Sequence, residues 1–319
     1  MANIKDIAKM ANVSITTVSR VLNNHPYVSQ KKREAVWQAM KESNYQKNLN
    51  AVHLSTGKTH LIGVVLPFSN HPYFGLLLEG IAEEAVKNNY KLVLFQTNYE
   101  ETREIEALDM LKHKQIDALI VCSRICSWST INDYAGYGPI VFCEDTQEQP
   151  FSATFVDHYK SFQTALHYLA DKGHKKIGYC IGRNSGANST NRALAYKDFL
   201  TKRKLPFHPE YIFEQCLHLE DGENVVSKIT NMKEPPTALL VTSDQVAAGI
   251  AASSLANKIS IPQEIAIIGF DNQPISKVMG ITTMEIPLVE IGRNLFSQSV
   301  QSHISYKEMD VTLIERSTV

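Results

Sequence analysis

Val13-Ser14-Ile15-Thr16-Thr17-Val18-Ser19-Arg20-Val21-Leu22-Asn23 contains one apolar face at helical spacing, made by Val18, Val21 and Leu22. Ser14 stands in front of it as an N-cap, because its hydroxyl can accept from the exposed amides of the first turn. Ile15, Thr16, Ser19, Arg20 and Asn23 are left pointing outward. Upstream, Ile4, Ile7, Ala8 and Ala11 predict a short amphipathic helix over Ile4–Met10, with Lys5 and Lys9 on its wet side, which Asn12-Val13 then breaks. A third helix is expected over 31–43, where Ala35, Val36, Ala39 and Met40 close a three-helix core. Two helices joined by so tight a turn, the second presenting hydroxyls, an arginine and an exposed apolar side chain, match a helix-turn-helix whose second helix enters the major groove.

Charge points the same way. Residues 1–60 carry nine Lys or Arg against three Asp or Glu, a balance of +6, so the remainder must hold −7 to reach the total of −1. A basic head on an acidic body is the asymmetry expected when one end approaches phosphates, although a solvated face could carry the same surplus.

From residue 60 the composition changes to apolar runs alternating with amphipathic helices. Strands are expected at 61–66, 91–95, 118–122 and 140–143, with helices over 74–88 and 102–114. The rhythm restarts at 176–180 and continues through 238–242 and 265–269. Strands alternating with helices predict parallel sheets, here two doubly wound halves with a ligand cleft beside the carboxyl ends of the strands. Polar or aromatic residues at those ends are candidate ligand contacts: Tyr73 and Phe74, Gln96, Arg124, Glu144 with Asp145, Ser243 with Asp244, and Asp271. For Arg124 and Asp244 a salt bridge or a helix cap is the competing role.

Ile4-Lys5-Asp6-Ile7-Ala8, Ala11-Asn12-Val13-Ser14, Thr17-Val18-Ser19-Arg20-Val21-Leu22-Asn23 and Asn48-Leu49-Asn50-Ala51-Val52-His53-Leu54 together resemble the lactose-repressor and galactose-repressor (LacI/GalR) family of bacterial transcription factors. Gly173-His174-Lys175-Lys176-Ile177-Gly178 and Ile268-Gly269-Phe270-Asp271-Asn272 are similar to that family's effector core, so the likeness spans essentially the whole chain. The fold implied is α/β: an all-α helix-turn-helix head over 1–47, a hinge helix over 48–59, and a two-lobed periplasmic-binding-protein-like core over 60–319. Lobe 1 would comprise about 60–158 and 287–308, lobe 2 about 159–286 and 309–319. The chain would cross between them near His158, Ile286 and Met309, with a returning helix over 288–303 and a last strand over 311–316.

The resemblance also implies roles. Ile15, Thr16 and Arg20 fall where the family reads base edges, and Ser14, Thr17, Ser19, Asn23 and Tyr45 where it holds phosphates or positions the helix. Arg20 could pair bidentately with guanine, or only screen phosphate. Asn48 would cap the hinge helix, Ala51 let two copies approach, and Leu54 wedge into the minor groove; docking of the linker onto the core is the alternative for Leu54. A segment this short is expected to gain helical order only with a symmetry mate and DNA present. Lys47 and Val52 depart from the residues common in relatives. In the core, Arg192 and Asp271 match the family's regular effector contacts, a donor fork and an acceptor suited to hydroxyls, with Phe74 stacking on the ring. Leu217 stands where several relatives place an aromatic, which weakens the case for a purine ligand.

Other chemistry is sparse. Cys122 and Cys126 lie four apart, but Cys143, Cys180 and Cys216 are scattered, the histidines form no metal-ligand pattern, and the Gly182 to Gly186 turn lacks the order of a nucleotide-triphosphate loop. No catalytic residues, metal or cofactor are therefore expected, and the chain is read as a regulator, not an enzyme. With neither signal peptide nor spanning apolar segment visible, it is expected in the cytoplasm and not in a membrane. The expected partners are double-stranded operator DNA, a small-molecule effector in the inter-lobe cleft that is a sugar or sugar derivative, and a second copy of the chain, as a homodimer or a dimer of dimers. Two alternatives stay open: a catabolite-control-type regulator that senses a phosphorylated partner protein, and a ligand-binding protein with no DNA role.

Overall fold

A computed structural model of the chain describes residues 2–23, 25–45 and 57–319. They fall into two compact units, Met1–Lys58 and Thr59–Val319.

The first unit contains α1 (Ile4–Met10), α2 (Ile15–Leu22) and α3 (Gln30–Glu42). Asn3 starts α1 with a capping box: its Oδ1 accepts from the Lys5 and Asp6 amides at 2.8 and 3.2 Å, and the Asp6 carboxylate accepts from the Asn3 amide at 2.9 Å. The helix stops because Asn12 takes a left-handed conformation, φ 49°, one that a short polar side chain tolerates. The Val13 amide then reaches back to the Ala8 carbonyl at 3.0 Å and the Asn12 amide to Lys9 at 3.3 Å, the two bonds of a Schellman ending. Asn44 ends α3 in the same way, through Tyr45 N–H to Met40 O at 2.9 Å. Ile7, Ala8, Val18, Val21, Val36 and Ala39 are buried at the centre, with Val13, Leu22, Met40 and Tyr45 packed partly buried around them.

The second unit is built on two six-stranded sheets. The first comprises β1 (Leu61–Leu66), β2 (Lys91–Gln96), β3 (Ala118–Val121), β4 (Ile140–Phe142), β5 (Ser152–Phe155) and β11 (Tyr306–Glu308), in the order β11-β5-β4-β3-β1-β2 with every neighbour parallel. The second comprises β6 (Ile177–Cys180), β7 (Ile212–Phe213), β8 (Ala238–Val241), β9 (Ala266–Phe270), β10 (Thr282–Glu285) and β12 (Thr312–Ile314), in the order β12-β10-β9-β8-β6-β7. Only the β10–β12 pair in this sheet is antiparallel. The chain passes to the second sheet after β5, returns after β10, and crosses again between β11 and β12. Helices cover both faces of each sheet, which is why the central strands read as unbroken apolar runs: Ile62, Val64 and Leu66 join one core cluster and Val65 another.

Helices α4 (Pro72–Lys87) and α12 (Leu288–Ser299), far apart in sequence, pack side by side under the first sheet. They touch at glycine. A Cβ on Gly80 would sit 1.9 Å from the Val289 carbonyl oxygen, and one on Gly292 would sit 2.2 Å from that of Leu77, so this approach requires both residues to lack a side chain. The returning helix stops at Ser299, short of the expected 303, and the last strand is confined to Thr312–Ile314.

Candidate nucleic-acid interface and ligand cavity

On the head, α2 buries Val18 and Val21 and turns its other face outward. Ser14, Ile15, Thr16, Arg20 and Asn23 are exposed, Ile15 by 45 %, whereas Thr17 and Ser19 are half-buried and Tyr45 packs into the head's core. An aliphatic side chain left so open beside hydroxyls and a guanidinium is spare contact surface. The Ser14 hydroxyl is engaged as the cap, accepting from the Thr17 amide at 3.2 Å and pairing with the Thr17 hydroxyl at 2.9 Å. The Arg20 guanidinium has no hydrogen bond or ion pair among the described residues, in contrast to Arg33, which donates to the His25 carbonyl at 2.9 Å. Asn48, Ala51 and Leu54, with Lys47 and Val52, lie outside the described residues.

In the core, the carboxyl ends of strands from both sheets face a common cavity of about 120 Å³. Lobe 1 supplies His71, Tyr73 and Phe74, at the start of α4, and Ser123 after β3. Lobe 2 supplies Gly182 and Arg183 after β6, Arg192 from α8 (Ala187–Arg203), Ser243 at the N-cap of α10 (Asp244–Ala256) and Asp271 after β9. His158, first residue of α7 (His158–Asp171), closes the wall at the crossover. Across the mouth, the Arg183 guanidinium lies 4.2 Å from the Tyr99 ring centroid, and Phe68 meets His218 edge-on at 6.4 Å.

The cavity's polar groups are buried and incompletely paired. A terminal nitrogen of Arg192 donates to His158 Nδ1 at 3.2 Å, so that nitrogen carries no proton. Burial, with Arg192 adding to it, holds the His158 imidazole well below its ordinary pKa. Arg192 Nε and Ser243 Oγ are buried with no hydrogen-bond partner among the described residues. Asp271 is 4 % exposed and accepts from Gln273 Nε2 at 2.9 Å. Burial first, and the neighbouring Asp244 second, push its carboxyl up to about 8, against the opposing pull of Gln273 and Arg192. Asp271 and Asn272 both hold left-handed backbone, φ 95° and 50°, strain concentrated where the carboxyl is aimed. His71 Nδ1 accepts from the Tyr73 amide at 3.3 Å. Burial, reinforced by His218, lowers the His71 pKa to about 4 despite a hydrogen bond to the Leu217 backbone of the opposite lobe.

Of the residues expected from sequence, Tyr73, Phe74, Arg192, Ser243 and Asp271 line this cavity; Arg124 and Glu144 do not. Those two pair with each other, and Arg124 also donates to the Cys126 carbonyl at 2.6 Å and lies 4.0 Å over the Trp128 ring. A carboxylate as buried as Glu144 takes the nearest cation, and the strand-end position of both residues served that pairing. Asp244 is fully buried beneath the cavity and holds the turn after β9, accepting from the Gln273 amide and the Thr283 hydroxyl, each at 2.7 Å. Gln96 accepts from Ser69, and Asp145 from the Gln147 amide. Sequence reasoning did not pick out His71, Tyr99, His158, Arg183 or Asn188. Arg183 and Asn188 lie in and just after the glycine turn at 182–186, whose sequence carries no ligand motif of its own. Among the described residues there is no cluster of His, Cys, Asp and Glu that could hold a metal and no helix long and apolar enough to cross a membrane.

Comparison with known proteins places both units. Residues 3–48 match the family model described as bacterial regulatory proteins, lacI family, and residues 59–318 match that of periplasmic binding proteins and sugar binding domain of LacI family. The chain is 44 % identical to the HTH-type transcriptional regulator YkvZ of Bacillus subtilis (strain 168) over the whole of both proteins. It is 39 % identical to Catabolite control protein B of the same organism, covering 94 % of this chain and 95 % of that one. Among solved structures, the lac repressor dimer bound to operator and the anti-inducer ONPF has the same fold, with a TM-score of 0.85 at 22 % identity over 99 % of this chain and 98 % of that one. A Lactobacillus casei LacI-family transcriptional regulator with bound sucrose gives a TM-score of 0.75 at 25 % identity over 81 % of this chain and 99 % of that one. The chain belongs to the LacI family of bacterial regulatory proteins, a DNA-binding head followed by a sugar-binding-type core, and its relatives are transcriptional regulators and not enzymes.

Proposed function

We propose that this regulator is a repressor that binds a pseudo-palindromic operator as a homodimer in the cytoplasm and is controlled by a sugar or sugar derivative in the inter-lobe cavity. The observation that carries the effector half is the set of buried polar atoms without partners, Arg192 Nε and Ser243 Oγ, on a wall shared with the Asp271 carboxyl. Hydroxyls that both donate and accept would satisfy them, with Phe74 and Tyr73 as the apolar side. The sucrose held by the Lactobacillus casei regulator supports the same ligand class. On the head, Ile15, Thr16 and Arg20 would read base edges, while Ser14, Thr17, Ser19, Asn23 and Tyr45 would hold the helix to phosphates. Asn48, Ala51 and Leu54 would build the hinge and its minor-groove wedge. Because both lobes line the cavity, a ligand that prefers one lobe angle shifts the population competent for the operator.

The test is operator selection from random duplexes with the purified chain, then screening of sugars for release or enhancement of the selected complex. Recovery of a two-fold site whose occupancy a sugar changes is expected; no preference over scrambled duplex, with or without sugars, defeats the proposal. The likeness to Catabolite control protein B favours a second reading, a core that docks a phosphorylated partner protein. Operator binding that responds to such a protein and to no small molecule would select it.

A further inference from the structure

We infer that the effector is an anion, a polyhydroxylated molecule whose phosphate or carboxylate sits between Arg192 and Arg183 at the start of helix α8. This rests on the proposed sugar-sensing cavity and narrows its ligand class. The charged side chains lining the cavity are Arg183, Arg192 and Asp271, with no lysine or glutamate among them.

Arg192 is the decisive residue. Its one hydrogen bond among the described residues goes to a neutral imidazole, and its Nε has no partner. No carboxylate forms an ion pair with it there. Asp271, the acid on the same wall, is tied instead to Gln273 and held toward its protonated form at neutral pH. A buried guanidinium paired only with uncharged groups bears a desolvation cost that an incoming anion relieves.

The surroundings favour the same ligand. Arg183 lies over Gly186 and against the Tyr99 ring, with no ion pair among the described residues. The nearby Glu144, which feels its charge, is paired with Arg124. Helix α8 runs 17 residues from an N-cap at Gly186 that offers no side chain to its first amides, and Asn188 and Ser189 at that end line the cavity. Ser243, only 5 % exposed, is the N-cap of α10, yet its hydroxyl caps nothing. Two helix starts and two guanidinium forks, beside a carboxyl held toward its protonated form, make a cradle for phosphate or carboxylate oxygens.

The experiment is calorimetric titration of the full chain with glucose, glucose 6-phosphate, glucuronate, gluconate and inorganic phosphate, repeated for other neutral sugars and their acidic derivatives. At least one acidic derivative should bind about a hundredfold more tightly than its neutral parent, as two charge-assisted contacts imply. The phosphate esters and the carboxylates, as separate arms, identify which anion is used. Arg183→Gln should weaken that acidic ligand by at least about tenfold with the melting temperature unchanged. Neutral sugars binding as tightly as their acidic derivatives would overturn the inference and leave sugar sensing standing. Binding of neither class would remove both.

Discussion

The head and the core place their chemistry on opposite sides of their packing. In the head, six small or branched apolar side chains form the buried centre, and the proposed contact residues Ile15, Thr16 and Arg20 stand outside it. In the core, the candidate contacts lie inside, among buried groups with missing partners and displaced pKa values. A surface site can be changed without touching the fold, whereas a buried polar site is part of the stability balance. Substitutions on α2 should therefore separate binding from folding, as should a change at the half-exposed Arg183, whereas substitutions of the cavity's buried groups, such as Asp271, should move both.

The largest effect is expected where neither site is touched. Gly80→Val would drive a side chain into the Val289 carbonyl on α12. Because the obstacle is backbone, the cost should reach the top of the overpacking range, about 3 kcal/mol or more. Urea unfolding followed by core tyrosine and tryptophan signals should show it. A midpoint within error of the parent would mean that the two helices can slide apart, and that the core is less tightly specified than its glycine contacts indicate.

Arg20→Ala comes next. If the guanidinium reads guanine, discrimination should drop by about 1–3 kcal/mol at one symmetric pair of operator positions, with the unfolding midpoint of the head unchanged because Arg20 supports nothing in it. Binding arrays with single base changes measure this directly. Equal weakening on every sequence would reassign Arg20 to phosphate and blunt the comparison at its sharpest point.

Asp271→Asn probes the other side. A carboxyl whose folded pKa is raised from 3.8 to about 8 contributes stability that is full below the unfolded value and is lost as pH rises through the folded one. His71 and His158 are both shifted downward, so they lose stability on acidification below 6.5. The interval from pH 6.5 to 8 therefore isolates the aspartate. Over it the parent should lose roughly 2 kcal/mol at most relative to the Asn variant. Thermal melts of parent and variant across that interval, taken as a difference, remove the groups they share; parallel curves would show that Asp271 is already ionised in the ligand-free cavity.

The same contrast explains what was legible in the chain. α1 and α2 follow from apolar spacing and from two local stop and start signals, Asn12 and Ser14, because a small helical head is specified by near neighbours. The central strands follow from apolar runs buried on both faces. Strands Ser152–Phe155 and Thr282–Glu285 were missed because half or more of their residues are polar, with hydroxyls satisfied by distant partners: Thr154 donates to Gln298 and Thr283 to Asp244. At the cavity, strand ends indicated Tyr73, Phe74, Ser243 and Asp271, and family likeness indicated Arg192 and again Asp271. The same strand-end rule also picked Arg124 and Glu144, since it gives position but not partner, and these two found each other. His158 left no signal as a cavity residue, because its contact is with Arg192, 34 residues further along the chain and on another helix.

The smallest effect tests whether the head's separation of fold and contact holds at its one shared residue. Ser14 caps α2 through the Thr17 amide and is also proposed to touch phosphate. Ser14→Ala should cost about 1 kcal/mol of head stability, whereas Ser14→Gly, which keeps a backbone suited to the cap position, should cost only a few tenths. The two variants lack the hydroxyl equally. If the hydroxyl bonds to phosphate, both should lose the same operator affinity while differing in melting temperature. If it serves only as a cap, affinity should follow stability, falling for alanine and nearly recovering for glycine. Titrations of the selected operator run beside thermal melts decide between them, and only the first outcome makes Ser14 the place where the head spends one hydroxyl on two functions.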